Sequence, residues 1–240
     1  MKIKQLMAMA VGATLMTSVA FGQSTLNTFT FTNGFANGGV VPDGDPNGLA
    51  LLTNLSGQFG AFSTITNVTV NLNISGGYNG DLYAYLAGPT GGFAILLNRV
   101  GVSNSASQFG YGDTGFNVTF LDAAAQSIQY YQSHSPSYNG NGQLTGNWQP
   151  DGVNIDPQSD PSLFWGASQT AMLDSFNGTD ADGTWTLFLA DLSGGGQGTL
   201  ISWGLQIETV PEPSSGKLLA MAGIFGAAIL FLRRRARING

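Results

Sequence analysis

The chain has 240 residues, a formal net charge of −6, one histidine and no cysteine. Zinc sites built from several His or Cys ligands are thereby excluded, as is a disulfide framework, so stability must come from the core or from bound ions. Seven of the eight Lys and Arg residues lie towards the ends, leaving Arg99 against twelve Asp and Glu208 in the body, a net of about −12; such a surface repels phosphate backbones, argues against nucleic-acid binding and attracts divalent cations.

At the N-terminus Lys2 and Lys4 form a positive region, Leu6 to Ala20 is apolar or small, and Ala20-Phe21-Gly22 supplies small residues at the −3 and −1 positions before Gln23. Residues 1–22 are therefore expected to be a secretory signal peptide. The body, 23–209, has the length of one domain that buries roughly 70% of its unfolded surface. Early in it, Asp43-Gly44-Asp45-Pro46-Asn47-Gly48 alternates oxygen side chains and places glycine sixth, like the start of a calcium loop. The twelfth position is Asn54 and no helical pattern flanks it, so it is no EF-hand.

Period-two patterns follow. Val68, Val70, Leu72 and Ile74 share one face of a predicted strand, and Leu82, Ala84 and Leu86 share the inward face of the next, with Tyr83 and Tyr85 outward. Phe116, Val118 and Phe120 repeat the pattern, as do Trp185, Leu187 and Leu189, and finally Ile201, Trp203, Leu205 and Ile207. Gly-rich clusters such as 75–80 and 193–196 separate these runs. Short strands, Gly-rich turns and no long helical period predict an all-β fold, a jelly-roll-like sandwich.

Residues 123–175 break the pattern and read as a long irregular stretch, functional or disordered, with 123–131 a short helix or an edge strand. Its aromatic residues Tyr138, Trp148 and Trp165 are candidates for stacking on a carbohydrate; the alternative is that they pin the loop to the sandwich. His134, between Ser133 and Ser135, has no nucleophile elbow near it, and no particular carboxylate pair stands out for glycoside hydrolysis, so a non-catalytic protein is expected. Asp180-Ala181-Asp182-Gly183 is a second acidic turn. The cofactor expectation is calcium alone, at Asp43, Asp45, Asn47, Asp180 and Asp182, against the alternative that Asp-Gly pairs merely form turns.

Two landmarks carry a resemblance. Gly80-Asp81-Leu82 runs on to Leu86, Pro89 and Gly91; Phe176 to Leu187 contains Gly183-Thr184-Trp185-Thr186-Leu187 and continues through Asp191 to Gly198-Thr199-Leu200-Ile201-Ser202-Trp203. With Val41-Pro42-Asp43 and Trp148-Gln149-Pro150, they resemble the P domain, or Homo B domain, over most of residues 28–208. The resemblance implies a β-sandwich of the kind attached to subtilisin-like proprotein convertases, where it stabilises or modulates a serine protease. Residues 153–170 depart from it as extra sequence, and no segment resembles the catalytic domain.

The chain closes on Val210-Pro211-Glu212-Pro213, an apolar run from Leu218 to Leu232, and Arg233, Arg234, Arg235 and Arg237. As a helix the run is about 22 Å long, short of the ~30 Å hydrocarbon core, and the arginines would stop it on the cytoplasmic side. An ordinary anchor would share this physics. The order of motif, helix and arginines (210–240) resembles the PEP-CTERM tail, which implies recognition by an exosortase-type enzyme, a transient inner-membrane stage, tail removal and delivery to the envelope or extracellular matrix. The resulting expectation is an exported, non-catalytic surface or matrix protein. Its rivals are a P domain acting with a separate subtilisin-like protease and a carbohydrate-binding module for polysaccharide.

Overall fold

Alternation of apolar and polar residues becomes ten strands in the computed structural model, which describes residues 23–60 and 63–211. The expected signal peptide, Glu212 and Pro213 of the motif, the apolar run and Arg233, Arg234 and Arg235 lie outside the described residues. The strands are β1 (Thr25–Phe31), β2 (Asp45–Asn54), β3 (Ser63–Gly76), β4 (Leu82–Ala87), β5 (Phe93–Asn98), β6 (Phe116–Phe120), β7 (Ser137–Tyr138), β8 (Leu144–Trp148), β9 (Thr184–Asp191) and β10 (Gly198–Pro211). They form two sheets, ordered β1-β10-β3-β6-β8-β7 and β2-β9-β4-β5. The expected all-β sandwich is the fold. Helical segments among the described residues are short 3₁₀ turns, and none is long and apolar enough to cross a membrane.

The two sheets share one core. Val68, Val70, Leu72, Ile74, Phe116, Val118 and Phe120 from the larger sheet pack with Leu82, Ala84, Leu86, Trp185, Leu187 and Leu189 from the smaller. All were expected inward from the period of two. Trp185 and Trp203 are the largest fully or nearly fully buried side chains; Trp185 packs at a tilt against Phe176 with ring centroids 5.1 Å apart, and Trp203 against Phe31 at 4.6 Å. Trp185 Nε1 donates to Ala181 O at 3.0 Å, so its one polar atom is satisfied where water cannot reach it.

The last strand corrects the expectation at one residue. Ile201, placed inward by alternation, is 46% exposed, and Leu200 is buried instead. The β10–β3 register slips between Leu200 and Ser202, and such a bulge moves the following side chains to the opposite face. Val210 and Pro211 pair with Thr64 and Ser63, so the strand runs two residues past the expected end of the body at 209.

Residues 123–175 are more ordered than a plain loop. They hold a 3₁₀ turn at Ile128–His134, where a short helix or edge strand was expected, together with β7 and β8. β8 runs parallel to β6 in an otherwise antiparallel sheet. The rest lies along β5: Asp151 N donates to Leu96 O, Gly152 N to Ile95 O and Ile95 N to Ala171 O. An open sheet edge is a template for unwanted pairing, and this segment covers it. Coverage also explains why Ala94 to Leu97 are all buried and read as an unbroken apolar run.

Candidate functional site

The most structured concavity lies at the end of the sandwich where β4 begins and β9 finishes. The turn Tyr78–Asp81 is tied to the segment at 109–113: Gly80 N donates to Tyr111 O at 2.8 Å and Asn79 N to Asp113 O at 2.9 Å. A side chain at Gly80 would collide with Phe109 O and with Tyr111 N, so only glycine lets the two loops approach. Leu192 N donates to Asp81 O, which fixes the loop leaving β9 against the same turn. Together they enclose a cleft of about 280 Å³ walled by Tyr78, Phe109 and Tyr111, with Asp81 and Ser193 as its polar lining. Tyr78 and Phe109 are exposed. A larger hollow of about 430 Å³, between residues 32–38 and 199–201, has no titratable side chain in its wall.

Three carboxylates converge beside the cleft from distant parts of the chain. Asp81 and Asp191 are buried, and Asp43 is exposed just before β2. Asp191 Oδ1 accepts from Ser193 N at 3.3 Å, whereas Oδ2 is buried without a hydrogen-bond partner. Asp43 Oδ1 and Oδ2 each lie 3.2 Å from Gly195 N, which donates to them. Burial pushes the Asp191 carboxyl up to about 6; the Ser193 and Gly44 N–H groups oppose the shift, and the charges of Asp81 and Asp43 add to it. Asp81 is raised for the same first reason, burial, with Asp43 adding to the shift and the Ser193 hydroxyl and Arg99 opposing it. Arg99, the one basic residue of the body, is itself held below its ordinary range by burial; its Nη2 donates to Gln108 O at 2.8 Å and its Nε has no partner. As they stand, no three acidic or histidine side chains among the described residues are drawn close enough to cage a metal ion.

The residues expected to bind calcium lie in the two turns from which they were read. Asp45 Oδ1 accepts from Asn47 N and Nδ2, both at 2.9 Å, closing a local turn that leaves Asp43 as the member facing other carboxylates. Asp180 Oδ1 accepts from Asp182 N, and Asp182 Oδ1 accepts from Gly57 N. This acidic turn lies at the other end of β9, where Thr184 pairs with Asn54, while Asp191 pairs with Asp45. Eight residues of strand put roughly 25 Å between the two groups. They are two separate acidic turns.

The aromatic expectation is corrected at Trp148. Its ring is only 6% exposed and its Nε1 donates to Thr145 O, so it belongs to the core and presents no face to a sugar. Tyr138 is partly exposed, with its hydroxyl on Asp113 Oδ2, and Trp165, 70% exposed, leans on Tyr130 at 5.7 Å. His134 is exposed, and the neighbouring Ser133 hydroxyl donates to Tyr130 O. Sequence reasoning passed over Asp81 and Asp191 as parts of structural landmarks. One signal was present: Asp191 continues the inward series Trp185, Leu187, Leu189, and a carboxylate on the apolar face of a strand needs a partner.

No protein-family model matches the chain, and no curated protein matches it. Among solved structures it is similar to the Aeromonas sobria serine protease, both in complex with the chaperone ORF2 (16% identity, TM-score 0.43) and alone (16%, 0.42). The alignments take in 79% and 78% of this chain but 28% and 27% of those chains, and no functional residue is carried over from them.

Proposed function

We propose that this chain is an exported, non-catalytic β-sandwich protein, P-domain-like in its landmarks, that an exosortase-type enzyme releases to the cell surface or extracellular matrix. One observation carries the proposal: Val210-Pro211-Glu212-Pro213, the apolar run and the arginines follow in the order of a PEP-CTERM tail, behind a secretory-type N-terminus. β10 takes in Val210 and Pro211, so the motif overlaps the end of the last strand, and loss of the residues after Pro211 would leave the core residues in place. The acidic, cysteine-free body suits a protein that folds outside the cell without disulfides.

Intact-mass spectrometry of protein recovered from the native host tests it. An extracellular species running from about Gln23 to the 210–213 motif is expected. Replacing Pro211, Glu212 and Pro213 with alanine should strand the protein in the membrane with its tail attached, and unchanged processing would sink the proposal. A second function, sugar binding, is favoured by the exposed Tyr78 and Phe109 rings beside Asp81 rather than by Trp148. It predicts that retention on the host's own polysaccharide is lost in Tyr78→Ala and Phe109→Ala. Association with a subtilisin-like protease predicts co-purification with one.

A further inference from the structure

We propose that two copies of this chain join edge to edge through β1, strand antiparallel to strand about a two-fold axis. Of the four sheet edges, β5 is covered by the segment at 151–171 and β7 is only two residues long. β2 carries Pro46 and a break in its register between Asp45 and Leu49. β1 has none of these protections. It keeps an unbroken register with β10 from Thr25 to Phe31, without proline or charge, and among the described residues no hydrogen bond reaches it from any element but β10. Half of its backbone N–H and C=O groups are therefore left as a template for another strand. The core is also open on this side: Phe29, Phe31 and Phe35 are only partly buried, and a hollow of about 300 Å³ lies between Phe31, Phe35, Leu51 and Trp203.

Charge selects a second copy as the occupant. Two acidic bodies repel unless they meet where neither carries charge, and residues 23–42 hold no charged side chain. The nearest acidic residue, Glu208, stands one strand in, opposite Leu26. Thr28 is the midpoint of β1, so the axis that pairs the whole strand sets Thr28 opposite its own copy and Leu26 opposite Thr30 of the other. The two Glu208 side chains are then three strand spacings and four residues apart, roughly 20 Å, beyond the ~8 Å screening length. Seven residues make an edge about 24 Å long. With two sheets about 10 Å apart and side chains on their outer faces, the side is roughly 20 Å deep, so the contact buries about 1,000 Å² in all. That is the low end of specific interfaces and corresponds to association on the order of micromolar.

The test is sedimentation of the full chain in density-matched mild detergent, from about 1 to 100 µM. A concentration-dependent monomer–dimer equilibrium is expected. Thr28→Asp places two carboxylates face to face at the axis and should weaken it at least about tenfold, while Asn117→Asp, which adds the same charge on an exposed position of interior strand β6, should dimerise as the wild type does. Because the chain has no cysteine, Thr28→Cys should give a covalent dimer on mild oxidation and Asn117→Cys should not. Thr28 is exposed, so neither change disturbs the core. A monomer across the whole range overturns the proposal, as does a dimer that Thr28→Asp leaves unchanged, the result expected if the apolar run rather than β1 holds the copies together.

Discussion

Asp151 offers the sharpest test of the packing. Its side chain is completely buried beneath the segment that covers β5, and it accepts only two backbone N–H bonds, from Val153 at 3.2 Å and Asn98 at 3.3 Å. Bonds at the long end of the range do little against desolvation, and burial pushes this carboxyl up to about 8. In the unfolded chain the same group loses its proton near pH 4. The fold therefore binds the proton more tightly. The stability tied to it is complete below about pH 4 and is lost as pH rises towards 8, at about 1.4 kcal/mol per pH unit, or roughly 4 kcal/mol by pH 7. Asp151→Asn removes that dependence but turns an amide N–H towards one of the two backbone donors, at a cost of about 1–3 kcal/mol that does not vary with pH. The variant should be the less stable protein at pH 4, match the wild type between about pH 5 and 6, and be the more stable at pH 8. Urea unfolding of both proteins from pH 4 to 8, with chelator present, gives the difference directly, since other titrating groups contribute equally to both. A difference that stays constant across that range would mean Asp151 is ionised in the fold and refute the reasoning.

Other changes have simpler expectations. Trp203→Ala should cost about 3–5 kcal/mol in denaturant unfolding, because it empties a buried ring site packed on Phe31, while Ile201→Ala, two residues away and exposed, should stay within about 0.5 kcal/mol. In Tyr131→Phe the hydroxyl that donates to Asp113 at 2.7 Å and accepts from Asn79 Nδ2 at 3.0 Å is lost, and the urea midpoint should fall by the equivalent of about 1–3 kcal/mol. Gly80→Ala should separate the 78–81 turn from the 109–111 segment, detectable as faster amide exchange at Tyr111 and lower thermal stability.

The inward faces of β3, β4, β6 and β9 were legible because the pleat imposes a local period of two, and burying one face of a sheet writes that period into the sequence. The exclusion of disulfides and of zinc sites built from several His or Cys ligands rests on composition alone. β5 was missed because the segment at 151–171 covers its outer side, which removes the polar half of the pattern; β1 was missed as an edge strand with no fully buried residue. Ile201 was misplaced because a bulge depends on both strands of a pair and leaves no mark on either alone.

The acidic turns read from the sequence were turns, but their grouping was a matter of topology. Asp43 and Asp182 stand at opposite ends of the smaller sheet, while Asp43, Asp81 and Asp191, spread over most of the body, share one corner. Antiparallel pairing of β2 with β9 and of β9 with β4 brings Asp45, Leu82 and Asp191 into register there. Likewise Trp148 and Asp151 look like loop residues in the chain and are core residues in the fold, because β8 enters the sheet beside β6 and the segment after it folds over β5. Local periodicity is a property of neighbouring residues, so the sequence by itself determined which side of each regular strand turns inward. Which carboxylates meet, and which aromatic rings remain free to touch anything outside, depended on contacts between residues far apart along the chain, and only the tertiary structure decided them.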